Sequence, residues 1–171
     1  MRLEKVTSGF PLFVVASANG NFSGSGVNFG WNGSSLNRPN EVGDPNKAGP
    51  VAANPGCAAP AQVHTLANWF NPCAFEDAPA GELGNSSRTP LYGPRFVNTD
   101  FSAIKNFPLS FHEGMFLQFR AEFFNLFNHA QFYLGGGASQ MQDVDSSSSF
   151  GVVNGTVNNP RVIQFALKLN F

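Results

Sequence analysis

The sequence predicts an all-β protein of antiparallel strands, because apolar and polar residues alternate with a period of two in its best-patterned segments. The clearest example is the final segment, RVIQFALKLNF, in which every second residue is a large apolar side chain. Composition agrees, since Gly and Pro, the two poorest helix formers, occur 18 and 12 times. The alternation alone leaves open whether the apolar face meets a protein core or lipid.

Four segments are predicted to be strands: residues 10–17, 95–107, 114–126 and 161–171. The first, FPLFVVAS, is a short apolar run, whereas RFVNTDFSAIKNF and MFLQFRAEFFNLF alternate apolar and polar residues. The third segment contains good helix formers, but a helix there would be apolar around nearly its whole circumference. The period of two therefore favours a strand.

The connections between these segments are long, short and long. Residues 18–94 and 128–160 are rich in Gly, Asn, Pro and Ser, while the link 108–114 has only seven residues. Nearly eighty residues without a periodic segment are unusual inside a compact soluble domain, but long extracellular loops and short periplasmic turns are typical of outer-membrane barrels. The alternative is a secreted soluble β-sandwich, a binding or adhesin-like module that uses the long loops as its binding surface.

Charge and hydropathy narrow the function classes. The formal net charge is −1 and charged residues make up only 12%, so no basic field indicates nucleic acid. No run of 18 apolar residues occurs, which excludes a transmembrane helix. The first twenty residues weakly resemble a signal peptide, but Glu4 and Pro11 argue against that interpretation.

Three stretches resemble a known family: GNSSRTPLYGPRFVNTDFSAIKNF, LQFRAEFFNLFNHAQF and SFGVVNGTVNNPRVIQFALKLNF. They are similar to the carboxyl-terminal end of TonB-dependent receptors of the Oar-like subgroup, which often carry a carboxypeptidase-regulatory-like domain. RPNEVGDPN and WFNPCAF are similar to the last large extracellular loop of these receptors. The resemblance extends from about Ser8 to Phe171, and FRAEFFNLFNH is its most specific part.

The resemblance implies a fold and a location. It implies about four up-and-down strands from the C-terminal end of a large transmembrane β-barrel in the outer membrane of a Gram-negative bacterium, with 18–94 and 128–160 as extracellular loops. Such a segment is expected to be open as an isolated chain and not transport-competent alone. The plug, the export signal and the segment that engages TonB are expected in a missing N-terminal part.

The resemblance also implies partners. These are outer-membrane lipid, the remainder of the barrel with its plug, TonB through the missing part, and the barrel assembly machinery. That machinery recognises a final strand with alternating apolar residues and a terminal aromatic residue, and an unpaired strand edge suits recognition by pairing. The role is carried onto Ile163, Phe165, Leu167, Leu169 and Phe171.

Four charges are expected to share the lumen face of the barrel: Asp100, Arg120, Glu122 and Lys168. One interpretation is that they line a transport path or contact a plug. The other is a network of charges that keeps the barrel interior polar and hydrogen-bonded.

Little else in the sequence indicates chemistry. Cys57 and Cys73 lie sixteen residues apart in the first long loop, where a disulfide is expected if the chain is exported. His64, His112 and His129 have no metal-ligand spacing, and no nucleophile motif occurs. Asp143 and Asp145 are interpreted as solvated loop carboxylates. No catalytic, cofactor or metal site is predicted.

Overall fold

The computed structural model describes residues 2–16, 38–79, 82–110, 113–134 and 141–171. The strands within these residues are β1 (Arg2–Thr7), β2 (Pro11–Val15), β3 (Asn40–Glu41), β4 (Phe75–Glu76), β5 (Leu91–Tyr92), β6 (Phe96–Pro108), β7 (Phe116–Phe124), β8 (Phe132–Leu134), β9 (Met141–Asp143), β10 (Val153–Thr156) and β11 (Val162–Asn170). A 3-10 helix spans Pro72–Ala74. No helix in the described ranges has the length and apolar character needed to cross a membrane.

The chain divides into two compact units. The sheet unit comprises Met1–Ser8, Arg95–Gln131 and Thr156–Phe171, and the loop unit comprises Gly9–Pro94 and Phe132–Gly155. The two long connections that the sequence predicts as loops thus contribute most of a unit with secondary structure of its own.

The sheet unit is built on four antiparallel strands in the order β1-β6-β7-β11. Because neighbouring strands run in opposite directions, both long connections leave the sheet at one end and the short link between β6 and β7 leaves it at the other. A backbone hydrogen bond from Leu109 N to Met115 O, 2.9 Å long, closes that link, and Gly114 supplies a positive φ of 83° within it.

The first predicted strand requires a correction. The prediction placed residues 10–17 in the barrel wall, but the strand beside β6 is β1, and β2 lies in the loop unit. There β2 pairs with β5 in antiparallel fashion and with β9 in parallel fashion. Leu12 and Val14, on one face of β2, and Val15, on the other, are all buried, and burial on both faces suits an uninterrupted apolar run better than a wall strand does.

The loop unit has a hydrophobic core of its own. Its centre is Phe70, which is fully buried and makes edge-to-face contacts with Phe75 and Phe150, at centroid distances of 6.0 and 5.0 Å. The other members of the buried cluster are Leu12, Val14, Ala74, Leu91 and Leu134. The unit therefore buries the rings of Phe70, Phe75 and Phe150 in a core of its own.

Asn71 and a disulfide stabilise the part of the loop unit around the 3-10 helix. The Asn71 amide nitrogen donates to the carbonyl oxygens of Lys47 and Gly49, both at 2.9 Å, and its side-chain oxygen accepts from the Cys73 backbone nitrogen at 3.1 Å. Cys57 and Cys73 form a disulfide with a Cα–Cα distance of 5.6 Å. The loop unit is therefore cross-linked covalently beside its most buried polar side chain.

Candidate functional site

Where the four-stranded sheet is formed by β6, β7 and β11, one face is mainly apolar and the other is mainly polar. Residues paired across neighbouring strands lie on the same face, so the registers of β6, β7 and β11 assign every side chain. The apolar face comprises Val97, Thr99, Phe101, Ala103, Lys105 and Phe107 of β6, Leu117, Phe119, Ala121 and Phe123 of β7, and Ile163, Phe165, Leu167 and Leu169 of β11. The polar face comprises Asn98, Asp100, Ser102, Ile104 and Asn106 of β6, Gln118, Arg120 and Glu122 of β7, and Gln164, Ala166, Lys168 and Asn170 of β11, and at the ends of the strands it also carries Phe96, Pro108, Phe116, Phe124 and Val162.

Phe side chains form a continuous row across the apolar face. Phe101 lies 6.1 Å from Phe123, and Phe165 lies 6.4 Å from Phe123 and 6.0 Å from Phe119, measured between ring centroids. Contact with each other leaves much of these side chains uncovered, since Phe165 is 65% exposed and Leu167 is 68% exposed. A contiguous exposed apolar surface of this kind marks an interface with lipid or with another protein.

Lys105 is the one charge on the β6, β7 and β11 part of the apolar face. It lies opposite Phe119, three residues from the end of β6 that joins the short link. A lysine can keep its alkyl chain on an apolar surface while its ammonium group reaches water at the edge. Its position near the strand end suits that arrangement.

The register places all four predicted lumen charges on the polar face, but it brings only two of them together. Arg120 and Glu122 form an ion pair, with 3.1 Å between Nε and Oε1. Asp100 instead accepts hydrogen bonds from the Asn98 side chain at 3.0 Å and the Asn125 backbone nitrogen at 2.9 Å. Lys168 lies opposite Gln118.

Asn125 holds the end of β7 where the chain leaves the sheet. Its φ of 52° lies in the left-handed region, which asparagine tolerates better than most residues. The side-chain oxygen accepts from His129 N at 2.9 Å, and the amide nitrogen donates to the Asn159 carbonyl oxygen at 3.2 Å. Asn125 therefore connects the two ends of the second long connection.

Gln131 completes the hydrogen bonding of β6 beyond the end of β7. Its side-chain oxygen accepts from Val97 N at 2.8 Å, and its amide nitrogen donates to the Val97 carbonyl oxygen. Gln131 is 1% exposed, and its backbone nitrogen donates to the Asn158 side chain at 2.8 Å. The amide thus takes the place of a strand neighbour.

Sequence reasoning missed these two amides, although both lie in the stretch that carries the resemblance. The residues predicted as an assembly signal lie along β11: Ile163, Phe165, Leu167 and Leu169 share the exposed apolar face, and Phe171 lies just beyond the strand. Among the described strands β11 pairs only with β7, so its other edge is open. His112 lies outside the described residues.

The acidic residues of the loop unit include a group that the sequence did not predict. The pKa of Asp77 is raised, first by desolvation and then by repulsion from Asp145 and Asp143. Within the described ranges, however, His, Cys, Asp and Glu side chains form no group of three that could hold a metal ion. The group is therefore an electrostatic feature of the loop unit.

Comparison with known families identifies one match for this chain. A family described as outer membrane beta barrel domain matches residues 3–164. The chain belongs to this family. No curated protein and no solved structure matches the chain.

Membership places the chain in the outer membrane as a segment of a β-barrel. In such barrels the outward face of each strand is apolar and the inward face is polar, as the period of two in β6, β7 and β11 requires. The predicted fold class is confirmed: the chain is all-β, its wall strands are antiparallel, and its sheet is not closed in isolation. The Phe row lies on the apolar face of these strands.

Proposed function

We propose that this chain is the C-terminal barrel-wall segment of a TonB-dependent receptor of the Oar-like subgroup. The observation that carries the proposal is the registered sheet with one apolar and one polar face, from which both long connections leave at the same end. In an outer-membrane barrel the end with long connections is extracellular. The segment acts as wall and not as an enzyme, and it does not transport a substrate alone because its sheet is open.

The loop unit supports an extracellular position for the long connections. Disulfides persist in oxidising compartments, and the Cys57–Cys73 bridge lies in this unit. A core around Phe70 gives the connections a fixed shape, which a receptor needs in the part that faces the medium. We propose that this unit forms the extracellular surface of the receptor.

The FRAEFFNLFNHAQF stretch has a physical role that fits a shared barrel design. Arg120 and Glu122 form an ion pair on the polar face, Asn125 ends β7, and Gln131 hydrogen-bonds β6. Each of these interactions stabilises a wall strand that leads into a long loop. The similarity of this stretch to Oar-like receptors therefore has a structural reason.

The charges of the polar face are better explained as a network than as a binding site. Arg120 and Glu122 neutralise each other, and Asp100 is used to hold the Asn125 turn. We propose that they keep the barrel interior polar against water and plug, and that Lys168, opposite Gln118, does the same on β11.

The proposed assembly role of β11 depends on its free edge and its exposed apolar side chains. The barrel assembly machinery would pair with that edge and contact Phe165, Leu167 and Phe171. In the complete receptor the same edge would pair with another strand of the barrel and close it.

The proposal is tested by the genomic DNA immediately upstream of the codon for Met1. A reading frame that continues upstream and encodes further alternating strands, a plug and a segment that engages TonB is expected. A frame that encodes barrel strands without a plug would overturn the receptor assignment and leave a simple barrel. A soluble sandwich is disfavoured because its inward residues would be covered by a second layer, whereas Phe165 and Leu167 are exposed.

A further inference from the structure

A cavity of about 340 Å³ lies at the end of the sheet from which the long connections leave. It is lined by Arg95, Val97, Thr99, Asn125, Phe127 and His129, all of which belong to the sheet unit. The volume lies at the lower end of the range for small-molecule sites, which is about 300 to 1,000 Å³. It suits a headgroup and not a long acyl chain.

The floor of the cavity belongs to the apolar face. Val97 and Thr99 continue the row of Phe101 along β6, because alternate residues of a strand share a face. Phe127 is 71% exposed beside them. A molecule bound here therefore meets the hydrocarbon-contacting surface directly below it.

The charge of the cavity is positive. Arg95 is exposed, and none of the six lining residues carries a carboxylate. Glu4 lies opposite the lining residue Thr99 on the neighbouring strand, and its carboxylate forms an ion pair with Arg2 at 3.0 Å. The Asp100 carboxylate belongs to the other face and holds the Asn125 turn.

His129 adds a second polar side chain to the cavity, and its ring contacts the Gln131 amide. The Gln131 oxygen accepts from Val97 N, so the amide nitrogen is the atom that lies 2.8 Å from His129 Nδ1. If the amide nitrogen donates to Nδ1, the proton of a neutral ring is on Nε2. Nε2–H is then available to an acceptor.

We propose that this cavity binds the phosphate group of an outer-leaflet lipid. Arg95 pairs with the phosphate, His129 Nε2 donates a hydrogen bond, and Phe127 lies against the headgroup while the acyl chains follow Phe101 and Phe123 along the apolar face. Arginine suits phosphate because its planar fork donates two parallel hydrogen bonds. This inference rests on the proposed extracellular position of the long connections but not on the receptor assignment, so its failure would leave the receptor assignment untouched.

The test uses the full chain inserted into phosphatidylcholine vesicles that contain either diphosphoryl lipid A or dephosphorylated lipid A. A photoreactive residue, Phe127→p-benzoylphenylalanine, reports lipid at the cavity. A second probe, Leu167→p-benzoylphenylalanine, reports insertion of the apolar face far from it. We expect the Phe127 probe to cross-link diphosphoryl lipid A about tenfold more than the dephosphorylated form, as fits a charge-assisted contact.

Matched variants separate the cavity from general charge. R95A should lower the Phe127 cross-link about tenfold while the Leu167 cross-link is unchanged, H129F should lower it less, and R95K should retain most of it. R88A, which removes an exposed cation of the loop unit, should have no effect. The proposal would be overturned if the Phe127 probe labelled both lipids equally, or if R88A lowered its cross-link as much as R95A does. It would also be overturned if millimolar inorganic phosphate abolished the cross-link, which would indicate a site for free phosphate.

Discussion

The two units of this chain differ in how far they bury a Phe side chain. In the loop unit Phe70 is fully buried between two other rings, whereas in the sheet unit Phe165 leaves 65% of its surface uncovered. The difference shows that each unit is matched to a different solvent. The loop unit supplies its own apolar environment, and we propose that the bilayer supplies that of the sheet unit.

This contrast separates what stabilises each unit. Burial inside the loop unit is favourable in plain water, because the rings leave water whenever the unit folds. Burial of the apolar face requires hydrocarbon, since no second layer of the sheet unit covers it. Changes to the loop core should therefore act in any solvent, and changes to the apolar face only through the membrane.

The largest expected effect comes from emptying the loop core. F70A should destabilise the loop unit by about 3 to 5 kcal/mol, because it leaves a cavity between Phe75 and Phe150. Urea unfolding followed by Trp69 fluorescence, in a Trp31→Phe background of the detergent-solubilised chain, measures the loss. F165A is the matched control on the exposed face and should leave this transition in place. An equal loss in both variants would contradict the division into two differently stabilised units.

The disulfide should contribute somewhat less. Closing a loop with a sequence separation of 16 restricts the unfolded chain, and the chain-entropy model gives about 3 kcal/mol. C57A/C73A should lower the urea midpoint of the Trp69 transition, and dithiothreitol should lower that of the parent chain but not that of the double variant. A midpoint that does not respond to dithiothreitol would show that the bridge is dispensable.

A charge on the apolar face should cost about 2 to 4 kcal/mol at the middle of the bilayer. F165R places a guanidinium group in hydrocarbon, whereas Q164R places the same group on the polar face one residue away. We expect F165R to lower the fraction of chain that is protected from protease in vesicles, and Q164R to leave it nearly unchanged. If Q164R were the more harmful variant, the assignment of the two faces would be reversed.

The sequence predicts the wall strands well where side chains alternate. β6, β7 and β11 have the expected periodicity because one face meets lipid and the other meets polar surroundings. β1 lacks that pattern: Arg2 and Glu4 share the face of Phe101 and form an ion pair there. It joins the sheet through backbone pairing with β6, which periodicity does not reveal.

The loop core and the polar turn could not be predicted for a different reason. Phe70 and Phe150 are eighty residues apart, and neither stands in a periodic segment. Asn125 and Gln131 hydrogen-bond particular backbone groups. These groups lack strand partners because β6 extends beyond the end of β7, and the sequence does not reveal that difference in length. The cavity beside Arg95 follows from the same mismatch in strand length.

The smallest expected effect concerns acidity and again involves only the loop unit. Desolvation, followed by repulsion from Asp145 and Asp143, raises the pKa of Asp77 above its ordinary value. The folded unit therefore binds the proton more tightly than the unfolded chain, so this contribution to stability is complete below about pH 4 and is lost as the pH rises through the folded pKa.

D77N removes the charge and should stabilise the unit at neutral pH by less than about 0.5 kcal/mol, because the side chain is exposed and water screens it. Urea midpoints of the Trp69 transition in mildly acidic and neutral buffer measure this gain, which should vanish in acid. E82Q, which neutralises another exposed carboxylate of the same unit, should show no such dependence, and an equal response in E82Q would mean that net charge and not the Asp77 group is responsible.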